Sequence, residues 1–311
     1  MRALHLLLPA LVLGSLLGLQ TRAQEPAPAA FVARTELVVL HVNVQDADGG
    51  WLSGLPASAF RVLEDNRPQV ISHFVADDSP VTVGLLIDNS ISMRESRDRV
   101  IAGATAFAEA GHPDDEIFAL AFNEDVVPVL PATTPFAESP TILRNALTDA
   151  ISARGRTALF DAINAGYAYA ERGRHARKVL VVISDGGDNA SRHTFEDVVR
   201  AARASDVVIY GIALVDPLDG TARPDRLAEL AKVTGGAFHR PRDANQVAAV
   251  LRRVAQDIRR TYTVGYTPTR ALDGSYRLVR VVVSPPDTRR VSVRTRSGYL
   301  AKATSHAGTA E

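Results

Sequence analysis

The hydrophobic pattern along the chain changes texture twice. Between Val32 and Phe74 apolar positions alternate with polar ones. Val38, Leu40, Val42 and Val44 share one face of a predicted strand; Leu37, Val39, His41, Asn43 and Gln45 share the other, which turns polar after Val39. Asp46-Ala47-Asp48-Gly49-Gly50 is turn chemistry. Phe60 to Asp65 and Gln69 to Phe74 read as two more strands around Asn66-Arg67-Pro68, which gives a small antiparallel unit.

From Val81 strands alternate with helices. Val81 to Ile87 (VTVGLLI) and Lys178 to Ser184 (KVLVVIS) are near-continuous apolar runs, as strands buried on both faces are. Glu116 to Asn123, Val126 to Leu130 and Asp206 to Leu214 are further strands, and Ala237 to His239 is a short edge strand. Helices are predicted over Met93 to Ala110, from Ser139-Pro140 to Ser152, over Phe160 to Arg172, and from a Thr194/Asp197 capping box to Ala204. Another runs from Pro224 to a stop at Gly235. The last, capped by Asp243 with Gln246, turns Val247, Val250, Leu251, Val254 and Ile258 inward. Such alternation implies right-handed crossovers. The expected class is α/β, a doubly wound, mostly parallel sheet with helices on both faces. After Arg260 strands return at Tyr262 to Thr267, Tyr276 to Val283 and Arg290 to Arg296. They are too few to close a core alone, so they are expected to pair with the N-terminal strands in a small β module.

Composition narrows the functional classes. The 311 residues include 35 Lys+Arg and 35 Asp+Glu, so no basic surplus points to nucleic acid or an anionic membrane surface. The absence of Cys removes disulfides, thiolate nucleophiles, zinc ribbons and iron–sulfur sites. Arg2 and His5 precede an apolar stretch from Leu6 to Leu19, followed by Thr21-Arg22-Ala23. This has the form of a secretory signal peptide cut after Ala23, and the stretch is short for a full membrane span. The expected product is secreted or periplasmic, with no stable span after cleavage. The expected organisation is signal peptide 1–23, linker 24–31, N-terminal β module 32–78, α/β domain 79–260, C-terminal strands 261–300 and tail 301–311.

The chemistry concentrates at two strand ends. Asp88-Asn89-Ser90-Ile91-Ser92 follows the first buried strand, and Asp185-Gly186-Gly187-Asp188 follows the second. In a doubly wound sheet ligands sit beyond the carboxyl ends of strands, where the strand order reverses. Arg156-Thr157-Ala158 precedes the Phe160 helix. Two carboxylates with the hydroxyls of Ser90, Ser92 and Thr157 make an all-oxygen donor set, suited to Mg²⁺, Mn²⁺ or Ca²⁺ rather than zinc or copper. Ser92 with Glu95 also fits a helix-capping box, which would give Ser92 a purely structural role.

Asp88-x-Ser90-x-Ser92, then Thr157, then Asp185-Gly186 resembles the metal-ion-dependent adhesion site of von Willebrand factor A-type domains. The resemblance covers Val81 to Ile258, with Arg154 to Ile163 and Ser184 to Ser191 as further matches. Phe60 to Asp65 and Ser297-Gly298-Tyr299-Leu300 also resemble secreted bacterial proteins of the acidobacterial VWFA-related type. The resemblance implies metal-mediated protein binding, with metal ligands Asp88, Ser90, Ser92, Thr157 and Asp185 and a partner Asp or Glu completing the coordination. Asn89 falls at a position free of such a role.

Asp188 is a weaker site candidate, read first as a solvated loop acid, and Asp161 reads as a residue that caps or pairs locally. Arg154 and Arg156 read as exposed loop residues, with a supporting or partner-steering role as the alternative. His112, His175, His193 and His239 have no ligand spacing among them. Arg252-Arg253 and Arg259-Arg260 read as a solvated helix face. No phosphate loop, nucleophile elbow or dinucleotide fingerprint is present, and position 90 is Ser where a haloacid-type phosphatase needs a second Asp. A secreted, non-enzymatic binding module is therefore expected. The alternatives are a metal-assisted hydrolase and a structural scaffold with an unused metal site.

Overall fold

The computed structural model of the chain describes residues 37–302, except 77, 216–219, 221 and 288. The expected signal peptide, the linker and most of the tail lie outside the described residues.

The N-terminal strands are β1 (Val38–Asp46), β2 (Phe60–Glu64), β3 (Arg67–Gln69) and β4 (Ile71–Val75). Next come β5 (Thr82–Asp88), α1 (Arg97–Ala110), β6 (Glu116–Phe122), β7 (Val126–Pro128), α2 (Pro140–Ala150) and α3 (Leu159–Ala170). They lead to β8 (Lys178–Ser184), α4 (Phe195–Ala204), β9 (Val208–Ala213), α5 (Pro224–Thr234), β10 (Phe238–His239) and α6 (Val247–Arg259). The chain closes with β11 (Thr261–Tyr266), β12 (Tyr276–Val283), β13 (Val291–Arg294) and β14 (Gly298–Leu300).

The six-stranded sheet has the order β10-β9-β8-β5-β6-β7. All its neighbours pair parallel except β7, which returns antiparallel on β6. Every residue of β5 is buried, because helices cover both faces of the sheet. Leu85 and Ile87 join a core with Leu251 and Val254 of α6, while Leu86 joins Leu159 and Ile163 of α3 on the other face. Local signals place the helices. Ser139 accepts from Ile142 N ahead of α2, Thr194 and Asp197 form a capping box on α4, and Gly235 ends α5 with a left-handed φ of 86°.

Strands from both chain ends build two further sheets, β13-β1-β11-β4 and β14-β12-β2-β3. Leu40, Val42, Val44, Phe60, Val62, Val264 and Val281 form the core they share. The alternation along β1 is thus met by a buried face, and the pairing of N- and C-terminal strands agrees with expectation.

Two expectations need correction. Gln69 to Phe74 is not one strand. β3 pairs with β2 through a tight turn at Asp65 and Asn66, both at positive φ, and β4 then pairs with β11 in the other sheet. The chain crosses between sheets at the exposed Val70. The helix after β5 starts at Arg97, not Met93, because Ile91–Ser96 forms 3₁₀ turns. Arg252, Arg253 and Arg260 are exposed, as expected of a solvated face, but that face also carries contacts. The Arg253 and Arg260 guanidiniums lie 5.1 Å and 4.9 Å from the Trp51 ring centroid, and Arg259 pairs with Asp78.

Beneath that face lies the buried carboxylate of Asp257. It accepts from Asn43 Nδ2 at 2.8 Å, Trp51 Nε1 at 2.7 Å and the Tyr210 hydroxyl at 2.8 Å, and pairs with Arg294. One side chain of α6 thereby ties β1, β9, β13 and the loop carrying Trp51.

Candidate functional site

The strand order reverses between β5 and β8, with Ile87 opposite Ile183, so Asp88 and Ser184 end neighbouring strands. This is the switch point at which open α/β sheets place their ligands.

Asp88 is buried at the last position of β5. Its Oδ1 accepts from Ser90 N at 2.9 Å, which turns the chain sharply as it leaves the sheet. Its Oδ2 accepts from the Ser184 hydroxyl at 2.6 Å. Ser90 Oγ lies 3.1 Å from Ser92 Oγ, and Ser92 Oγ donates to Asp185 Oδ2 at 3.0 Å. Asp185 Oδ1 accepts from Gly187 N at 2.7 Å. Gly186 has a φ of 83°, and a Cβ there would run into the Arg223 carbonyl, so only glycine fits this turn.

Four of the five expected residues, Asp88, Ser90, Ser92 and Asp185, are thus joined to one another directly or through Ser184 and the loop they share. Ser92 serves the Asp185 carboxylate rather than a helix cap, since no side-chain cap is made at the start of the 3₁₀ turns or of α1. Thr157 is buried on the loop before α3. Its N–H donates to Asn189 Oδ1 at 2.9 Å, and its carbonyl accepts from Asn189 N and Ala190 N, which ties this loop to the one after β8. Among the described residues its hydroxyl makes no hydrogen bond.

Burial pushes the Asp88 carboxyl up to about 6. Hydrogen bonds from Ser184 and Ser90 work against that rise, and the Asp185 charge adds to it. Among the described residues no three His, Asp or Glu side chains come together as metal ligands. A cation here would therefore rest on hydroxyl oxygens beside two carboxylates. That all-oxygen set is the donor chemistry of Mg²⁺, Mn²⁺ and Ca²⁺, so the residues fit such an ion.

Sequence reasoning missed several supporting residues. Asn89, expected to have no ligand role, supports the loop instead: it is buried, and its Oδ1 accepts from Ser152 N and Ala153 N at 2.8 and 2.6 Å. Ser184 bridges Asp88 to Gly186 N; its only sequence signal is a hydroxyl closing an apolar run. Asp188 is not a solvated acid, because it accepts from Phe160 N and from the Ser191 hydroxyl. Asp161 caps locally as expected, accepting from Arg192 N and His193 N. Arg154 is exposed, and Arg156 lies 3.6 Å from Glu124.

Comparison with known proteins follows the same lines. No curated protein sequence matches the chain. Among solved structures, proximal thread matrix protein 1 from the mussel byssus is similar at 14% identity and a TM-score of 0.52, over 63% of this chain and 51% of that one. This chain thus spans about half the length of that mussel protein. A second structure of it, with a zinc-occupied MIDAS motif, matches at 15% identity and a TM-score of 0.51, over 63% of this chain and 49% of that one. A von Willebrand factor type A structure from Catenulispora acidiphila matches at 13% identity and a TM-score of 0.51, over 87% of this chain and 75% of that one. At these identities the likeness is one of fold. Residues 83–253 match the von Willebrand factor type A domain, and since they are more than half of the 311 residues, this chain belongs to that family.

Proposed function

We propose that the protein is a secreted binding module that captures a partner protein through a divalent cation. Von Willebrand factor type A domains commonly serve protein interaction and adhesion. The observation that carries the reading for this chain is the hydrogen bond from Ser92 Oγ to Asp185 Oδ2, with Ser90 Oγ next in line. It turns two hydroxyls from one strand exit toward the carboxylate of the next, leaving them uncommitted to helix capping. The zinc-occupied motif of the mussel relative supports the same use of this fold.

Ser90, Ser92 and Thr157, with Asp88 and Asp185, would hold Mg²⁺, or Mn²⁺ or Ca²⁺ in its place. When bound, the cation supplies an electrophilic position for an Asp or Glu carboxylate of the partner. The chain's own residues orient the donors. Ser184 holds the Asp88 carboxylate, Asn89 fixes the loop at Ser152 and Ala153, and Asn189 anchors the loop that carries Thr157. No catalytic step is assigned to the site. The sequence of 1–23 supports export, and the flanks around Phe60 and Tyr299 support a place among the acidobacterial-type secreted proteins.

Thermal unfolding with and without millimolar Mg²⁺, Mn²⁺ or Ca²⁺ tests the reading. A cation at about a hundred times its Kd adds roughly 2.7 kcal/mol, a shift of several degrees. The shift should vanish in Asp185→Ala. No shift with any of these cations in the wild type would overturn the metal-dependent mechanism.

A further inference from the structure

A cleft of about 590 Å³ opens where α5, β10 and α6 meet β12 and β13. None of the candidate site residues lines it. Five cations do, Lys232, Arg253, Arg280, Arg294 and Arg296, against the single carboxylate of Asp257. That carboxylate is already taken by Arg294 and three neutral donors. Arg296 is paired with Asp206. Lys232, Arg253 and Arg280 remain exposed, and among the described residues no acidic side chain neutralises them. Between them lie the half-buried Phe238 and Val293, while Val279 and Val281 border the cleft from the core of the β module.

The backbone adds a second, independent feature. β10 ends the six-stranded sheet and pairs only with β9; β13 ends its own sheet and pairs only with β1. Both strands line the cleft, so two strand edges border one cationic space. Strand edges carry unpaired N–H and C=O groups that an added strand can satisfy. The Thr295 hydroxyl, also in the lining, is buried without a hydrogen-bond partner among the described residues.

We propose that this cleft is a second, metal-independent binding site, and that its ligand is an extended acidic segment of a partner protein laid along the edge of β10 or β13. Carboxylates of that segment meet Lys232, Arg253 and Arg280, its alternate small apolar side chains meet Phe238 and Val293, and its main chain pairs with the strand edge. The edge of β10 is only two residues long. Charge therefore sets most of the affinity, and the strand edge sets the direction of the segment. A simple anion would answer the charge and leave Phe238, Val293 and the strand edges unused.

The test is fluorescence anisotropy with a labelled eight-residue peptide of alternating Glu and Val, in EDTA. The expected result is binding that is equal in wild type and Asp185→Ala, weakens with salt, and is absent for the matching Lys/Val peptide. The double variant Lys232→Glu/Arg280→Glu should bind about tenfold more weakly, since each exposed charge pair lost is worth a few-fold. Both side chains are exposed, and an unchanged melting temperature checks that the variant is folded. Binding unchanged in the double variant, or lost in Asp185→Ala, would overturn the site. Equal binding of a backbone N-methylated Glu/Val peptide would overturn the strand-edge component, and complete displacement by phosphate at matched ionic strength would replace the peptide by a simple anion.

Discussion

Ser92 on the turn after β5 donates to Asp185 at the end of β8, a span of 93 positions in the sequence closed by one hydrogen bond of 3.0 Å. The bond latches the exits of the two central strands together. Removing it in Ser92→Ala should cost about 1 kcal/mol or less without cation, because the serine is exposed and water replaces the lost partner. If Ser92 ligates the cation as proposed, the loss with saturating Mg²⁺ should be larger, because the variant then also lacks a ligand oxygen. Melting curves of both proteins across a cation titration check this. A cation-induced shift as large as the wild type's would show that the Ser92 hydroxyl is not a ligand.

Asp257→Ala should be among the most damaging single substitutions in the chain. It strands the Arg294 charge and leaves Asn43, Trp51 and Tyr210 donors without their acceptor. Breaking a buried pair costs about 3–5 kcal/mol, and the partial exposure of Arg294 places this one toward the lower end. Trp51 is the only tryptophan, so its emission reports this junction alone. Urea unfolding followed by Trp51 fluorescence should show a lower midpoint, with Asp257→Asn falling between the variant and wild type. Midpoints that coincide would mean the donors find water instead.

The strands that carry the site were legible because β5 and β8 are buried on both faces and so read as uninterrupted apolar runs. Asp88 and Asp185 stand where those runs stop, which exposes them to inspection. Asn89 and Ser184 were not legible, because each is a lone polar residue whose partners are supplied by tertiary structure. Ser152 reaches Asn89 from 63 positions away. The junction at Trp51 was hidden for the same reason, with Asp257 lying 206 positions further on. Helical periodicity correctly turned Val247, Leu251, Val254 and Ile258 inward, yet it says nothing of what packs on the opposite side. The contacts of Arg253 and Arg260 with Trp51 therefore stayed hidden, although both arginines are exposed as the pattern predicts. The break at Val70 depends on β2 and β11 belonging to different sheets, a fact no local pattern encodes.

Within the β module Glu64 and Arg277 form a fully buried pair at 3.1 Å, and the hydroxyls of Tyr266 and Tyr299 both donate to Glu64 at 2.8 Å. Glu64→Ala leaves the buried arginine with only the half-exposed Asp273 carboxylate at 3.3 Å as its ion-pair partner and should destabilise the protein by about 3 kcal/mol. The double variant Glu64→Leu/Arg277→Met should recover part of that loss, because neither charge is then desolvated. Recovery should stay incomplete, as both tyrosine hydroxyls still lack their acceptor. Chemical denaturation of the single and double variants measures the difference, and a double variant weaker than Glu64→Ala would show that the pair is a net source of stability.

His41 supplies a pH dependence whose sign follows from its surroundings. Burial is the main reason its pKa falls from 6.5 to about 3, and the charges of Arg177 and Arg296 push the same way. The folded protein therefore keeps the ring neutral, with Nδ1 buried and without a hydrogen-bond partner among the described residues. The unfolded chain takes up a proton near 6.5. The stability this group contributes is complete above that value and is lost as pH falls toward about 3. Between pH 7 and 5 the loss is at most about 2 kcal/mol, an upper bound because the residue as a whole is only partly buried. His41→Gln removes the titration, so its stability should change less than the wild type's over that range. Urea midpoints of both proteins at the two pH values isolate the term, since every other titrating group is common to them. Parallel losses in the two proteins would mean that His41 is charged in the fold and that Arg177 and Arg296 do not govern it.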